Sequence, residues 1–267
     1  MLIKKIAGIC YQEWGVGPPI ICLHGIGGDH NSFYHQRVLS EDFRVISWCM
    51  PGYGDSDVLE SVTFEALALA LKKFMDQLQI KQAHLLGQSI GGMIAQEFYH
   101  RFPARVISLC LIATTSSFGG RDDTFKQEFL KLRLKPLENG KSLSCLASDI
   151  VASIVGPAAH QEAIDMAVTS MSQVSDNCYK SILECLITFD RRSAFSGITV
   201  PCCLIAGETD TNSPAKTMKK MADLLHGSDY YVIHGAGHLV HLECPTETNV
   251  ILKNFMNNLP GTKRGNG

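Results

Sequence analysis

Short apolar runs alternate with stretches of helical periodicity along most of this 267-residue chain. Six of the runs have the length and the Ile, Val, Leu and Cys content typical of buried strands. They cover residues 19–23, 44–48, 83–86, 106–112, 202–206 and 230–233. Because strands that alternate with helices form a mostly parallel sheet with helices on both faces, the sequence predicts an α/β fold.

The alternation stops between residues 117 and 195, where the apolar residues follow helical spacing throughout. Phe125, Phe129 and Leu132 form one such stripe. Turn-forming Gly, Ser and Pro residues flank this stretch on both sides. We therefore expect a helical lid inserted into the α/β core. The predicted division is a first core part at residues 1–116, the lid at residues 117–195 and a second core part at residues 196–267.

The composition narrows the classes of partner that the chain can bind. A formal net charge of −2 gives no electrostatic reason to expect a nucleic-acid partner. No apolar run approaches the ~20 residues that cross a bilayer, and the N-terminus lacks the long apolar stretch of a secretion signal. We therefore expect a monomer or homodimer that binds a small-molecule substrate and has no membrane partner.

The chain has ten cysteines, and many of them lie within the apolar runs. Buried free cysteine packs like a small hydrophobic residue, so reduced core thiols are the simplest interpretation. Reduced thiols are typical of the cytoplasm, where we expect this protein to reside. Since no C-x-x-C pair occurs, we expect no metal site, and we expect no cofactor.

One turn carries a motif for nucleophilic catalysis. Residues 87–91 read Gly-Gln-Ser-Ile-Gly and lie between a predicted strand and a predicted helix. In a sharp strand-to-helix turn, glycines make space and the serine hydroxyl is pushed out at the end of the sheet. The N-terminus of the following helix offers free N–H groups to negative charge that forms near the serine. Ser89 is therefore the candidate nucleophile.

A serine nucleophile needs a base to take its proton and an acid to orient that base. His238 follows the last predicted strand in a Gly-Ala-Gly-His loop, and Asp210 follows the strand before it. Both come at the carboxyl ends of strands, where open parallel sheets place their sites. Glu208 competes with Asp210 as the acid. Asp122 and Asp123 are more remote alternatives that we expect to cap a lid helix.

The remaining requirement is a pair of N–H donors for the oxyanion that forms during acyl transfer. Residues 24–28, His-Gly-Ile-Gly-Gly, follow the first predicted strand and supply a glycine-rich loop. The backbone N–H groups of Ile26 and Ile90 are the predicted pair. His24 is expected to hold this loop in place rather than to exchange protons in the reaction.

Together these motifs resemble those of the α/β-hydrolase fold superfamily over nearly the full length of the chain. The matching segments are residues 24–27, 51–56, 87–92, 201–214 and 237–245. The order Ser89, Asp210, His238 is the order of the catalytic residues in that superfamily. Within it, the chain is most similar to 3-oxoadipate enol-lactonase-like esterases and lactonases, and to the meta-cleavage-product hydrolases that break C–C bonds.

Three positions separate the chain from particular branches of the superfamily. Cys49 stands where aspartate is common, two residues before Pro51, at a position that is usually structural. Leu239 follows His238, where many C–C hydrolases carry tryptophan. Ser89 stands where the haloalkane dehalogenases use aspartate. The resemblance therefore favours ester or lactone hydrolysis.

The resemblance implies a serine hydrolase that needs no cofactor and cleaves a small carboxylic ester or lactone through an acyl-enzyme. Two alternatives stay open: C–C bond hydrolysis of a meta-cleavage-type dienoate, and a small-molecule receptor that keeps the fold without turnover. The lid would supply most of the substrate pocket and exclude water. The predicted pocket residues are Gly25, Phe125, Phe129, Leu132, Met166 and Leu239.

Two further groups of residues allow both a functional and a plainer interpretation. Arg191 and Arg192 could reach a carboxylate of the substrate, or they could form ion pairs at the hinge of the lid. The closeness of His234, His238 and His241 in the sequence could suggest a metal site. Their loop setting, without a partner carboxylate, favours a chance cluster.

Overall fold

The computed structural model describes residues 2–119 and 123–259, and within them eight strands form a single sheet. The strands are β1 (Lys4–Ile6), β2 (Ile9–Trp14), β3 (Pro19–Leu23), β4 (Arg44–Trp48), β5 (Ala83–Gln88), β6 (Val106–Ile112), β7 (Cys202–Gly207) and β8 (Asp229–Ile233). Their order across the sheet is β1-β2-β4-β3-β5-β6-β7-β8. The pairs β1–β2 and β2–β4 are antiparallel and the other pairs are parallel, so the predicted mostly parallel α/β sheet is confirmed.

The six strands expected from the sequence are β3 to β8, whereas β1 and β2 were not expected. These two strands form a hairpin whose turn holds Ala7 and Gly8 at φ angles of 52° and 81°. Strand β1 is only three residues long and mostly exposed. Strand β2 is almost wholly buried, but Gln12 and Glu13 interrupt its apolar residues, so its sequence shows neither a continuous apolar run nor an apolar–polar alternation.

Helices follow most of the strands. They are α1 (Phe64–Gln77), α2 (Ile90–Arg101), α3 (Asp123–Glu138), α4 (Leu143–Ala152), α5 (Gln161–Ser172), α6 (Asp176–Leu186), α7 (Arg192–Phe195), α8 (Ala215–Leu224), α9 (Val240–Glu243) and α10 (Pro245–Asn257). Thr63 caps α1, since its hydroxyl oxygen accepts the N–H of Ala66 at 3.1 Å. Over residues 2–119 and 123–259, no helix is both long enough and apolar enough to cross a membrane.

Two hydrophobic cores lie on opposite faces of the sheet. Successive residues of β3 alternate between them: Ile21 and Leu23 belong to one core, and Ile20 and Cys22 to the other. Apolar residues of α1, α2 and α8 fill the first core, and those of α10 fill the second. The sheet is therefore buried on both faces, as its continuous apolar runs indicate.

Helices α3 to α7 lie between β6 and β7, and we call residues 123–195 the helical segment. The stretch of chain that enters the helical segment and the stretch that leaves it are joined by backbone hydrogen bonds. The N–H of Phe118 donates to the carbonyl oxygen of Phe189 at 2.9 Å, and the N–H of Arg191 donates to that of Ser116 at 2.8 Å. The chain thus leaves and rejoins the sheet at one place, while the predicted lid boundaries stay a prediction.

The parallel strands bring three candidate residues to the same edge of the sheet. Ser89 directly follows β5, Asp210 comes three residues after β7, and His238 lies in the loop after β8. Because the carboxyl ends of parallel strands meet at one edge, segments that are far apart in the sequence converge there.

Candidate active site

Ser89 lies at the turn between β5 and α2 in a strained backbone conformation. Its φ of 53° is in a region that non-glycine residues rarely adopt. Neighbouring glycines allow the turn, because a Cβ atom at Gly91 would collide with the carbonyl oxygen of Leu23, and one at Gly87 would lie 2.5 Å from the carbonyl oxygen of Gly91. The N–H of Ser89 donates to the carbonyl oxygen of Ile112 at 3.0 Å, which ties the turn to β6.

The structure brings Ser89, His238 and Asp210 into one hydrogen-bonded chain. The Oγ atom of Ser89 lies 3.0 Å from Nε2 of His238, and Nδ1 of His238 lies 2.8 Å from Oδ2 of Asp210. An ionised carboxylate can only accept, so Nδ1 carries the proton and donates to Asp210. Nε2 of the neutral ring is then free to accept the hydroxyl proton of Ser89.

The carboxylate of Asp210 is buried and held in its ionised form. Burial alone raises its pKa, but the electrostatic interaction and hydrogen bond with the ring of His238 lower it, and so do the N–H groups of Ser213 and Asn212. Those two N–H groups donate to Oδ1 at 3.1 Å and 2.8 Å. The net result is a pKa below the ordinary value for aspartate, so Asp210 is an acceptor at neutral pH.

Glu243 holds the backbone on both sides of His238. Its Oε2 atom accepts the N–H groups of Gly237 at 2.8 Å and Gly156 at 2.7 Å, and its Oε1 atom accepts the N–H of Leu239 at 2.8 Å. The side chain of Glu243 is buried, and burial raises its pKa while these three N–H groups oppose the rise. A single carboxylate thus fixes the histidine loop and ties it to the helical segment.

Two more contacts fix the backbone of His238 itself. Its N–H donates to the carbonyl oxygen of Ile154 at 2.7 Å, and its carbonyl oxygen accepts the side-chain amide of Gln88 at 2.9 Å. Gln88 directly precedes Ser89 on the chain. The positions of the histidine and the serine are therefore coupled through a neighbour of the serine.

His24 anchors the glycine-rich loop after β3, as expected. Its Nδ1 atom lies 2.7 Å from the carbonyl oxygen of Gly25, and its Nε2 atom accepts the N–H of Met50 at 2.9 Å. This pattern requires a neutral ring with the proton on Nδ1. Burial lowers the pKa of His24 to about 4, in agreement with that neutral state.

The two expected oxyanion donors are available for a ligand. Within the described residues, the N–H groups of Ile26 and Ile90 donate to no acceptor of the protein. The carbonyl oxygen of Ile26 accepts the hydroxyl of Tyr53 at 2.7 Å, which holds the next peptide, between Ile26 and Gly27. Ile90 is the first residue of α2, so its N–H is one of the free donors at the helix N-terminus.

A cavity of about 270 Å³ opens above Ser89 and His238. Five of the six expected pocket residues line it: Gly25, Phe125, Phe129, Leu132 and Leu239. Its volume lies just below the ~300–1,000 Å³ range of small-molecule pockets, so it suits a small ligand. Ten of the remaining lining residues come from the helical segment, and most of those ten are apolar.

The sixth expected pocket residue, Met166, requires a correction. Met166 packs against the hydrophobic core and does not line the cavity, whereas Met171 on the same helix α5 does. Residues five positions apart on an α-helix point about 140° away from each other. Both faces of α5 carry apolar residues, so the sequence alone does not distinguish the face that meets the cavity.

Two of the carboxylates considered as alternatives to Asp210 pair with residues other than His238. Glu208 pairs with the exposed His234 at 2.7 Å and accepts the N–H of Gly235. Asp123 begins α3 and pairs with Lys126 at 3.0 Å, while Asp122 lies outside the described residues. Neither Glu208 nor Asp123 lines the cavity described above.

Arg191 and Arg192 form ion pairs instead of reaching the cavity. Arg191 pairs with Glu97, a buried residue of α2, and Arg192 pairs with the neighbouring Asp190. Of the two interpretations considered for these arginines, ion pairing and contact with a substrate carboxylate, the structure therefore shows ion pairing. Among the described residues, the arginine that lines the cavity is Arg133, which was not expected from the sequence.

The three clustered histidines lie in different environments. His234 is exposed, His238 contacts Asp210, and His241 is buried in the cavity wall with its ring 4.6 Å from that of Phe33. Among residues 2–119 and 123–259, no three His, Cys, Asp or Glu side chains are grouped as a metal would require.

Sequence reasoning missed several residues that support the site. Tyr53 and Glu243 lie within the family motifs, but a motif does not tell which backbone group a side chain contacts. Met171 and Arg133 carry no motif at all, and only the packing of the helical segment brings them to the cavity.

Comparisons with known proteins find relatives that match nearly the whole chain. BpoC of Mycobacterium tuberculosis strain H37Rv, a candidate non-heme bromoperoxidase, is 26% identical over 258 residues, which cover 92% of this chain and 97% of that protein. The pimeloyl-[acyl-carrier protein] methyl ester esterase of Photobacterium profundum is 27% identical over 261 residues, covering 93% of this chain and 98% of that protein. The crystal structure of the enol-lactonase from Burkholderia xenovorans superposes with a TM-score of 0.82 at 22% identity, covering 93% of this chain and 96% of that one.

Residues 18–245 match the alpha/beta hydrolase fold family. This match spans far more than half of the chain, and the relatives named above match along nearly their whole length. The resemblance inferred from the motifs is therefore confirmed, and the chain belongs to the alpha/beta hydrolase fold family.

Proposed function

We propose that this protein is a cofactor-independent serine hydrolase that cleaves small carboxylic esters or lactones. The observation that carries the proposal is the chain from Asp210 through His238 to Ser89, with contacts of 2.8 Å and 3.0 Å. This arrangement supplies an orienting acid, a base and a nucleophile in the geometry that acyl transfer needs.

In the first half of the reaction, Ser89 forms an acyl-enzyme. Nε2 of His238 takes the hydroxyl proton while Oγ of Ser89 attacks the carbonyl carbon of the substrate. The N–H groups of Ile26 and Ile90 stabilise the negative charge on the carbonyl oxygen. The bond to the leaving oxygen then breaks, and His238 returns the proton to that oxygen.

In the second half, water releases the acid. His238 takes a proton from the water molecule, whose oxygen attacks the acyl carbon. The bond to Oγ breaks, Oγ regains a proton from His238, and the carboxylic acid leaves. Asp210 stabilises the charged imidazole in both halves. The helical segment acts as a lid that supplies apolar walls and keeps bulk water away.

The relatives support the ester or lactone class over the alternatives. One named relative is an ester hydrolase and one solved neighbour is an enol-lactonase. Leu239 after the histidine, in place of tryptophan, is unlike many C–C hydrolases. A receptor would bind ligand without steady turnover, so kinetics separate that alternative directly.

The test is steady-state hydrolysis of short-chain p-nitrophenyl esters, an aliphatic lactone and a dienoate. Ser89→Ala is expected to lower kcat for the ester by at least about 10³-fold. The control is Ser116→Ala, which removes a hydroxyl outside the cavity lining and is expected to keep the wild-type rate. An unchanged rate in Ser89→Ala overturns the proposal, and efficient turnover of the dienoate alone favours C–C cleavage.

A further inference from the structure

Helix α5 closes one part of the cavity with a single long side chain, that of Met171. The helix contributes Ala167, Ser170 and Met171 to the cavity lining, and among these three only the methionine has a long side chain. Met171 is 5% exposed, so its side chain is enclosed. The space that this side chain fills therefore sets how far the cavity extends along α5.

Met171 lies directly against Gly27, in the glycine-rich loop after β3. A Cβ atom at Gly27 would collide with Cε of Met171 and would lie 3.4 Å from its Cβ and Cγ atoms, so the methionine runs along the glycine. Both residues line the cavity. Gly27 directly follows Ile26, whose N–H is one of the two expected oxyanion donors. The end of the Met171 side chain thus fills space beside the place expected for the carbonyl group of a substrate.

The strand order places the loop of Gly27 and the loop of His238 on opposite sides of Ser89. The first loop follows β3, which pairs with β5 on one side. The second follows β8, which lies beyond β6 and β7 on the other side. The leaving oxygen of an ester must lie near Nε2 of His238, from which it takes a proton. The part of the substrate that extends toward Gly27 and Met171 is then the acyl part.

Helix α5 is held in place at both ends. Shortly before the helix, the N–H of Ala158 donates to the carbonyl oxygen of Gly235, in the loop that carries His238, at 3.0 Å. At the other end, Met171 packs against Gly27. The helix therefore crosses the site from one loop to the other. A longer substrate would have to displace the helix or force the methionine into another rotamer, and both changes cost free energy in a close-packed wall.

We propose that Met171 is a specificity-determining residue that limits the length of the acyl chain. The substrate class is an ester or lactone whose acyl part is short enough to end before it reaches this side chain. The cavity volume of about 270 Å³ fits a substrate of that size. This inference rests on the proposed hydrolase function and names the substrate class of that same site.

The test measures kcat/KM for p-nitrophenyl esters of straight-chain acids, from acetate to decanoate. For the wild-type protein, kcat/KM is expected to fall about tenfold or more when the chain is about three carbons longer than the best one. Met171→Ala removes the side chain beyond Cβ and opens room for about three carbons, so the best chain is expected to lengthen by about that number. Met171→Leu, which is close in volume, is expected to keep most of the wild-type profile.

The matched control is Met166→Ala, the same substitution on the same helix. Met166 packs against the hydrophobic core outside the cavity lining, so its variant is expected to keep the wild-type profile. Each profile compares esters on one protein, so a smaller folded fraction lowers all rates equally and leaves the profile unchanged.

Three outcomes overturn the inference. In the first, the wild-type protein shows no dependence on acyl length, or Met171→Ala keeps the wild-type best length. In the second, Met166→Ala shifts the best length equally. In the third, Met171→Ala lowers kcat/KM by the same factor for every ester, which would mean that the methionine only holds the glycine-rich loop.

A second series assigns the limit to the acyl part. It comprises acetate esters of straight-chain alcohols of increasing length. Because the alcohol lies on the side of His238, Met171→Ala is expected to change this profile far less than the acyl profile. A larger shift in the alcohol series than in the acyl series would contradict the assignment.

A binding measurement separates failure of this inference from failure of the proposed function. Calorimetric titration of the Ser89→Ala protein with ethyl esters of a short and a longer acid reports affinity without turnover. Tighter binding of the short ester that is lost when Met171→Ala is added supports the limit even if the wild-type protein hydrolyses neither ester. Hydrolysis that depends on Ser89, with an acyl profile that Met171→Ala does not alter, refutes the limit alone.

Discussion

At the residue scale, the site depends on side chains that hold backbone atoms in place. Ser89 is strained at φ 53°, and the loop that carries His238 has little regular structure of its own. Glu243 holds this loop in place by accepting three backbone N–H groups around His238. The proposed catalytic geometry, which is built on loops, thus relies on a buried carboxylate that does not line the cavity.

The substitution Glu243→Gln is expected to lower kcat by about a hundredfold, because a histidine displaced by ~1 Å loses that much rate. The amide offers one acceptor oxygen instead of two and turns its NH₂ group toward backbone donors. Kinetics with a p-nitrophenyl ester measure the effect, and KM is expected to change far less than kcat. The control is Glu247→Gln at an exposed position of α10; equal activity of the two variants would contradict the positioning role.

At the element scale, helix α2, which directly follows Ser89, is bound to the exit of the helical segment. Glu97 of α2 is buried and accepts from both Arg101, on the same helix, and Arg191, which directly precedes α7. The ladder of backbone hydrogen bonds beside it joins the entrance and the exit of the segment. The helical segment is therefore attached near the C-terminal end of α2, the helix that directly follows Ser89.

Arg191→Met is expected to lower the free energy of unfolding by about 2 kcal/mol, since it removes a charged hydrogen bond to a buried carboxylate. Arg192→Met removes an exposed ion pair with Asp190 and is expected to cost less than about 1 kcal/mol. Urea unfolding of both variants measures the difference. Equal losses would show that the burial of Glu97 does not matter to the attachment.

At the scale of the whole molecule, three buried neutral histidines link stability to pH. Burial lowers the pKa of His24 and His84 to about 4 and that of His241 to about 3. In the unfolded chain each histidine titrates near ~6.5. Below that pH the unfolded chain binds protons that the folded one excludes, so acid favours unfolding.

The free energy of unfolding is accordingly expected to be highest above pH ~6.5 and to fall as the pH decreases toward ~4. With up to three protons involved, the slope near pH 5 reaches at most about 4 kcal/mol per pH unit. Urea unfolding over this pH range measures the slope. The variant His84→Gln is expected to reduce it by roughly one third, and a stability that stays level or increases on acidification would refute the linkage.

How much of the molecule the sequence predicts depends on the kind of contact involved. The parallel strands and the positions of Ser89, Asp210 and His238 at their ends follow from local patterns that the structure reproduces. The hairpin of β1 and β2 could not be predicted because β1 is only three residues long and Gln12 and Glu13 interrupt the apolar residues of β2. Met171 and Arg133 could not be predicted as cavity residues. The rotation of a helix about its axis is set by packing against distant elements, not by its own sequence.

The central claim, that Ser89 is the nucleophile, is tested most directly by covalent labelling with an alkyl fluorophosphonate. Peptide mass spectrometry of the labelled wild-type protein is expected to find one adduct per chain, on Oγ of Ser89. The adduct is expected to be absent from Ser89→Ala and strongly reduced in His238→Ala, because the serine is then no longer activated. Ester hydrolysis that persists without an adduct on Ser89, or with an adduct on another residue, would contradict the account.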